Sequence, residues 1–289
     1  MALTAQANSR LSDGGISRRF AKNRLSLLGT AIVLVAILAA VLAPWLSPHD
    51  PNDVNTRLRL SRPGTAGYLL GTDEFGRDML SRLLWGARIT LLVSFLATCL
   101  ALVAGALLGL LAGFFMGWFD MLVMRLIDIL MSFPYFLLAI VVIAVLGPGL
   151  LNGMLAIALV NIPFFTRIVR GAVLSLRQMD YIEAVKSLGA GNGRILVRHI
   201  LLNCFSTMIV AATLNIGWMI TAVAGLNFLG LGVQPPTSDW GTMIAYGRKY
   251  LVVAPHVAAL PGLAIFLTVL GFNLLGDGLR DALDPRLKT

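Results

Sequence analysis

The sequence predicts an all-α, polytopic membrane protein with six transmembrane helices. Mean hydropathy is +0.83, and the 289 residues are 57% hydrophobic and only 13% charged. Soluble domains carry roughly 25% charged residues, so this chain lacks the charge to cover a water-soluble globule. Its apolar residues gather into long runs, and a helix crosses a bilayer with about 20 of them. The basic residues lie mainly in the short segments between the runs. A soluble enzyme, a disordered chain and a disulfide scaffold are thereby excluded. The cysteines, Cys99 and Cys204, sit in and beside apolar runs and suggest neither a bridge, a metal site nor a reactive thiol.

The first span is Leu25–Leu46, preceded by Arg10, Arg18, Arg19, Lys22 and Arg24. Ser17-Arg18-Arg19-Phe20 looks like a twin-arginine export signal. The apolar run after it exceeds the roughly 7–15 residues of a signal h-region, and no A-x-A site follows. It therefore reads as an uncleaved anchor. The second span is Ile89–Phe115. Gly105, Gly109, Gly113 and Gly117 recur at a spacing of four and make a bare strip along it. Such a strip lets a neighbouring backbone come close, from this chain or a partner. The third span, Met121–Leu146, opens on Arg125 and Asp128, three apart on one face, which read as an interfacial ion pair. The fourth, Leu150–Phe165, is short and holds Asn152, Asn161 and Pro163. The fifth and sixth are Phe205–Phe228 and Ala258–Leu275. Asn161, Asn215 and Asn273 either bond between helices or line a polar path.

With a cytoplasmic N-terminus, inside segments carry fifteen Lys and Arg and outside segments eight, which favours both termini inside. The organisation is then a cytoplasmic tail at 1–24, a first span with its extracytoplasmic connector at 25–88, a five-span core at 89–277 with a cytoplasmic loop at 167–203, and a cytoplasmic tail at 278–289. The net charge of +9 reflects these loops. No basic stripe with interleaved aromatics follows a phosphate backbone, so nucleic acid is not a partner. Asp73, Arg77 and Asp78 read as helix-start and surface charges, Asp78 pairing with Arg82.

No ionisable residue lies near the middle of a span, which argues against an ion-coupled carrier. No H-E-x-x-H, paired intramembrane aspartate or serine elbow is present, so the chain does not read as an enzyme, and it holds no metal site or cofactor of its own. Gly189-x-Gly191-x-Gly193 follows no strand and does not read as a nucleotide loop. Pro235-Pro236 with Gly230 and Gly232 reads as an irregular connector.

The informative stretch is Asp180–Leu202. Asp180 and Glu183 have capping-box spacing, and Gly189 fits the left-handed residue that ends a helix. Between them Tyr181, Ile182, Val185 and Leu188 fall on one side, and Glu183, Lys186 and Ser187 on the other. So short a helix is not stable alone in water. Burying its stripe contributes about 1.5–3 kcal/mol per fully buried side chain. It wants a groove, on a partner, on neighbouring loops or on the membrane surface.

Glu183-Ala184-Val185, Gly189 and Ile200 resemble the E-A-A–x3–G–…–I-x-L-P loop of ABC importer permeases, with Val185 for the second Ala and the Pro replaced. LGTDEFGRDMLSRLLWGAR (Leu70–Arg88), FLGLGVQPPTSDW (Phe228–Trp240) and FNLLGDGLRDALDP (Phe272–Pro285) are similar to the dipeptide, oligopeptide and nickel permeases, and the end of the chain to glutathione- and dipeptide-type members. The resemblance implies a type I ABC importer permease core and inward passage of small peptides across the bacterial inner membrane, with nickel or metal-chelate import as the alternative and secondary transport as a more distant one. It implies that Tyr181, Ile182, Glu183, Ala184, Val185, Leu188 and Gly189 form a coupling helix in an ATPase cleft. It implies as partners a second homologous permease subunit, two cytoplasmic ATPase subunits that bind ATP and Mg, and an extracytoplasmic substrate-binding protein.

Overall fold

A computed structural model describes residues 20–21, 23–65 and 67–283. Arg10, Arg18, Arg19 and Lys22 of the basic flank, most of the twin-arginine motif, and the tail beyond Leu283 lie outside the described residues.

The described chain is helical, with isolated bridges at Thr65–Tyr68 and Thr72–Asp78 its only β pairing. Helix α1 (Arg24–Val41) starts where the Asn23 side chain accepts from the Leu25 and Ser26 amides at 3.0 and 3.4 Å. After a short α2 (Ala43–Leu46), a loop leads to α3 (Met79–Phe115). Asp78 caps α3, its Oδ2 accepting from the Ser81 amide at 2.8 Å and the Ser81 hydroxyl at 2.6 Å. The 37 residues of α3 run about 55 Å at 1.5 Å per residue. That exceeds the roughly 30 Å hydrocarbon core, so the polar first turns rise beyond the span expected from Ile89.

The third expected span is not one straight helix. Two helices, α4 (Gly117–Ser132) and α5 (Tyr135–Leu146), meet at a 95° bend. The cause is Pro134: a residue before proline is pushed out of the α region, and Phe133 is extended at φ −89°, ψ 139°. Helix α6 (Leu150–Arg177) continues twelve residues past the expected end. Helix α7 (Asp180–Ser187) and a tight turn follow. Helix α8 (Asn192–Phe228) carries a π-helical stretch at Ile195–Leu201. Then come α9 (Trp240–Gly247) and α10 (His256–Leu283). Five helices among the described residues are long and apolar enough to cross a membrane, and the α4–α5 pair, taken as one broken span, makes six.

The glycine strip positions the frame. Ideal Cβ atoms on Gly105, Gly109 and Gly113 would sit 2.7 Å from Phe165 Cβ, 2.6 Å from the Thr166 carbonyl oxygen and 2.9 Å from Val173 Cβ, all on α6. The strip is thus an intrachain seam between α3 and α6. Gly117 is not part of it: α3 has ended, Gly117 turns at φ +63°, and no heavy atom lies within 4 Å of its built Cβ. On the other side, Gly29 of α1 and Gly271 of α10 let those helices close in the same way.

The expected Arg125–Asp128 pair does not form. Asp128 Oδ1 accepts from Arg167 Nη2 of α6 at 2.6 Å, and Arg125 is exposed. Arg170 of α6 grips Asp120 with two bonds of 2.6 Å. Arginine prefers a carboxylate it can meet squarely, bidentate where possible, and α6 presents both guanidinium groups to α4.

Candidate functional site

The loop between α6 and α8 builds the site. Helix α7 ends as its sequence dictates. Gly189 stands at φ +83°, the Ala190 amide donates to the Val185 carbonyl at 3.3 Å, and the Gly189 amide donates to the Lys186 carbonyl at 3.0 Å. These two bonds are the Schellman motif, which satisfies carbonyls left open at a helix end.

Its start differs from expectation. Met179 is the N-cap, with no side-chain capping bond, and Asp180 is already helical. The capping box therefore does not form: one residue of register moves Glu183 out of reach of the cap amide. Asp180 and Glu183 instead place negative charge in the first turn, where the helix dipole favours it.

The apolar stripe is divided. Ile182 is 5% exposed and belongs, with Val185 packed alongside, to a buried apolar cluster that includes Leu110, Val169, Val173, Ile195, Ile200 and Cys204. Leu188, expected on the same buried stripe, is 87% exposed. It occupies the C-cap position, where the chain turns away from the cluster. Tyr181 is partly exposed, and its hydroxyl donates to the His199 carbonyl at 3.5 Å while accepting from Asn203 Nδ2 at 3.3 Å. Ala184 and Gly189 are exposed, as are Glu183 and Lys186, which with Arg177, Met179 and Asn192 border a polar hollow of about 390 Å³. Helix α7 is thus fixed to the α3–α6 frame and the π-helical entry of α8 by one face. Its other face, with Glu183, Ala184, Lys186 and Leu188, is left open.

At the other end of α3 the charges expected at the surface form a buried polar centre. Asp73 is 2% exposed, and Arg77 and Arg82 are also buried. Arg77 Nε reaches Asp73 Oδ2 at 2.6 Å, Arg82 Nε approaches the same oxygen at 3.3 Å, and Arg77 Nη2 meets Glu74 Oε1 at 3.3 Å. Arg82 pairs with Asp73, not Asp78, because Asp78 is committed to capping α3. Met243 and Tyr246 of α9 and Val257 of α10 close over the group. Burial, reinforced by Asp73, pushes the Glu74 carboxyl above its ordinary range. Asp239 is fully buried where it caps α9, accepting from the Gly241 and Thr242 amides at 2.8 and 3.2 Å and from the Thr90 hydroxyl of α3 at 2.6 Å. Burial raises its carboxyl too. These bonds knit the connector and α9 onto the first turns of α3.

The expectation of hydrogen bonding between spans is met at one pair: Asn161 Nδ2 of α6 donates to Asn215 Oδ1 of α8 at 2.6 Å.

Comparison with known proteins places this geometry. Residues 105–289 match the family described as binding-protein-dependent transport system inner membrane component, and residues 15–63 match the N-terminal TM domain of oligopeptide transport permease C. The chain belongs to the first of these families. The permease is 46% identical over 272 residues to the dipeptide transport system permease protein DppC of Alkalihalophilus pseudofirmus, covering 94% of this chain and 89% of that one. It is 47% identical over 271 residues to the glutathione transport system permease protein GsiD of Escherichia coli, with the same coverage. It is 47% identical over 274 residues to the di/tripeptide transport system permease protein DppC of Pseudomonas aeruginosa, covering 93% and 90%. A structure of inward-facing MetNI methionine ABC transporter aligns with a TM-score of 0.60 at 20% identity, covering 71% of the permease and 98% of that chain, a likeness of fold. The permease is a membrane transport subunit rather than an enzyme.

Proposed function

We propose that this permease forms half of the pathway by which an ATP-driven importer carries small peptides inward across the bacterial inner membrane. A second, homologous permease chain supplies the other half. Two cytoplasmic ATPase subunits bind ATP and Mg, and an extracytoplasmic protein delivers the cargo. Both termini and residues 167–203 are cytoplasmic, and residues 47–88 face out. The core spans 89–277. The names of the relatives support a peptide of the dipeptide or glutathione size class.

The observation that carries this reading is the divided face of α7. Ile182 and Val185 anchor the helix to α3, α6 and α8, while Leu188 is left 87% exposed beside Glu183 and Lys186. An ATPase cleft that takes Leu188 and the exposed face gains a lever on the frame. Because Gly105, Gly109 and Gly113 hold α3 against α6 at backbone distance, a push on α7 moves two spans together. The π-helical turn at Ile195–Leu201 lies where that push enters α8, a place where such local distortions commonly serve motion. The test is co-purification of the ATPase subunits with the permease, followed by uptake of radiolabelled dipeptide into vesicles that hold the reconstituted complex. A complex that forms without ATPase subunits, or that accumulates no dipeptide with ATP and binding protein present, contradicts the proposal.

A further inference from the structure

Between the bent pair α4–α5, α6 and α8 lies an open cavity of about 560 Å³. That volume is in the range of about 300–1,000 Å³ typical of small-molecule sites. Phe133, Phe164 and Leu214 give its wall apolar surface, and Tyr135, Asn161, Asn215 and Trp218 give it polar tips. No lining residue is charged. Asn161 and Asn215 are each 4% exposed and share two amide bonds, Asn161 Nδ2 to Asn215 Oδ1 at 2.6 Å and Asn215 Nδ2 to Asn161 Oδ1 at 3.5 Å. A side-chain amide has two N–H donors and two acceptor lone pairs; Asn161 Nδ2 also donates to Met219 Sδ at 3.8 Å, which leaves Asn215 one N–H and each residue an acceptor lone pair. Trp218 is 48% exposed and meets the Tyr135 ring edge-on at 5.7 Å.

Two observations argue that this hollow holds water and cargo, not lipid or a packed helix. The helix break at Phe133-Pro134 borders it, and no side chain caps the first turn of α5. Non-helical backbone at membrane depth is tolerated only inside protein or against water. The wall also differs from the helix seams of this chain. Where α3 meets α6 the closest approach is at bare glycine, Gly105, Gly109 and Gly113. Here large apolar side chains and the polar tips of Tyr135, Asn161, Asn215 and Trp218 surround an open volume, which is poor material for close helix packing and suits a solute with both apolar and polar parts.

We propose that this cavity is the chain's share of the solute path, and that the Asn161–Asn215 pair, flanked by Tyr135 and Trp218, hydrogen-bonds the peptide groups of passing cargo. The inference rests on the importer reading and adds to it the chemistry of the contact. An amide pair offers a peptide bond the same donor and acceptor that another peptide bond would. With no charge in the wall, it reads the backbone of a peptide and not the charge of its side chains.

Two arms test it in the assembled transporter. In a Cys99→Ala, Cys204→Ala background, Trp218→Cys and Leu34→Cys are treated with a charged methanethiosulfonate. Leu34 is an exposed residue of α1 away from the cavity. Trp218→Cys reacts, is slowed by ATP with binding protein and saturating Ala-Ala, and Leu34→Cys does not react. An unreactive Trp218→Cys overturns the aqueous path. In the second arm Asn161→Leu/Asn215→Leu removes both partners, which leaves neither amide orphaned. Co-purification with the ATPase subunits checks that this variant assembles. Its uptake of Ala-Ala, Lys-Ala and Glu-Ala falls alike, by about tenfold, the scale of one lost hydrogen bond. Uptake at the wild-type rate, above all if single Asn161→Leu is impaired, means the pair only joins two helices and overturns the cargo contact. Failure of the unmutated complex to take up any of the three peptides refutes the peptide reading, while the thiol arm still judges the cavity by its accessibility to a charged reagent.

Discussion

Gly109→Ala is expected to loosen the seam between α3 and α6. The added Cβ lies 2.6 Å from the Thr166 carbonyl oxygen, 3.0 Å from the Arg170 amide nitrogen and 3.1 Å from Val169 Cβ. Ordinary contact begins near 3.4 Å, so the two backbones must part by about 0.8 Å. Two of these neighbours are backbone atoms and cannot swing aside. Overpacking of this kind costs about 1–3 kcal/mol. Against it stands the gain of about 0.5–1 kcal/mol when alanine replaces glycine inside a helix. Gly171→Ala, in α6 with nothing within 4 Å of its built Cβ, receives that gain without the clash. The two variants therefore differ by about 1–3 kcal/mol, or several degrees of melting temperature for a chain of this size. The assay is thermal unfolding of the detergent-solubilised complex, followed by loss of the monodisperse peak of a fluorescent fusion. If Gly109→Ala melts with Gly171→Ala or above it, the strip is not a backbone seam, and the rigid frame for α7 fails with it.

Other expectations follow from the charged groups and the topology. Asp73→Asn leaves Arg77 and Arg82 buried with half their compensation, and loss of one member of a buried pair costs about 3–5 kcal/mol; the variant should fail to assemble or melt far below wild type. Glu74, raised in the folded state from an ordinary 4.5, contributes its stability fully below that pH and loses it as the pH climbs through the raised value. Glu74→Gln should therefore gain on wild type as pH rises above 4.5, measured as melting temperature against pH, and a gap that does not grow refutes the burial argument. Arg170→Ala breaks a bidentate grip on Asp120 and should destabilise more than Arg125→Ala, which removes an exposed group without an ion pair among the described residues. Equal losses in the same melting assay would return the interfacial role to Arg125. An impermeant thiol reagent applied to intact cells should label Leu69→Cys and spare Ser187→Cys; the reverse pattern inverts the topology.

Much of the frame was legible because it is written locally. Long apolar runs gave the spans, Gly189 gave the helix stop, and three members of the glycine strip gave a close seam. The break at Pro134 had a local signal too, the residue pair Phe133-Pro134, which the continuous hydropathy of the run concealed. What escaped depends on residues far apart. Arg167 and Arg170 find Asp128 and Asp120 some 40–50 residues away, and no spacing rule on one helix reaches them. Asp73, Arg77 and Arg82 have the spacing of a hydrated helix start, because their cover, Tyr246 and Val257, lies far along the chain. Leu188 had the phase of a buried residue, yet helical phase cannot tell a face packed against this chain from one left for a partner.

If α7 links the permease to an ATPase, as proposed, Leu188 is the residue that must show it. It is nearly bare and makes no part of the chain's own apolar clusters, so Leu188→Asp should leave folding and membrane insertion intact. The decisive measurement is co-purification of the ATPase subunits with Leu188→Asp, alongside ATP-driven uptake in reconstituted vesicles, with Lys186→Gln as the control. Desolvating a carboxylate in an apolar cleft without a partner is costly enough to weaken docking by a large factor. Leu188→Asp should release the ATPase subunits or leave them hydrolysing ATP without uptake, while Lys186→Gln stays near wild type. A Leu188→Asp complex that keeps its ATPase subunits and transports at the wild-type rate would contradict the proposed link.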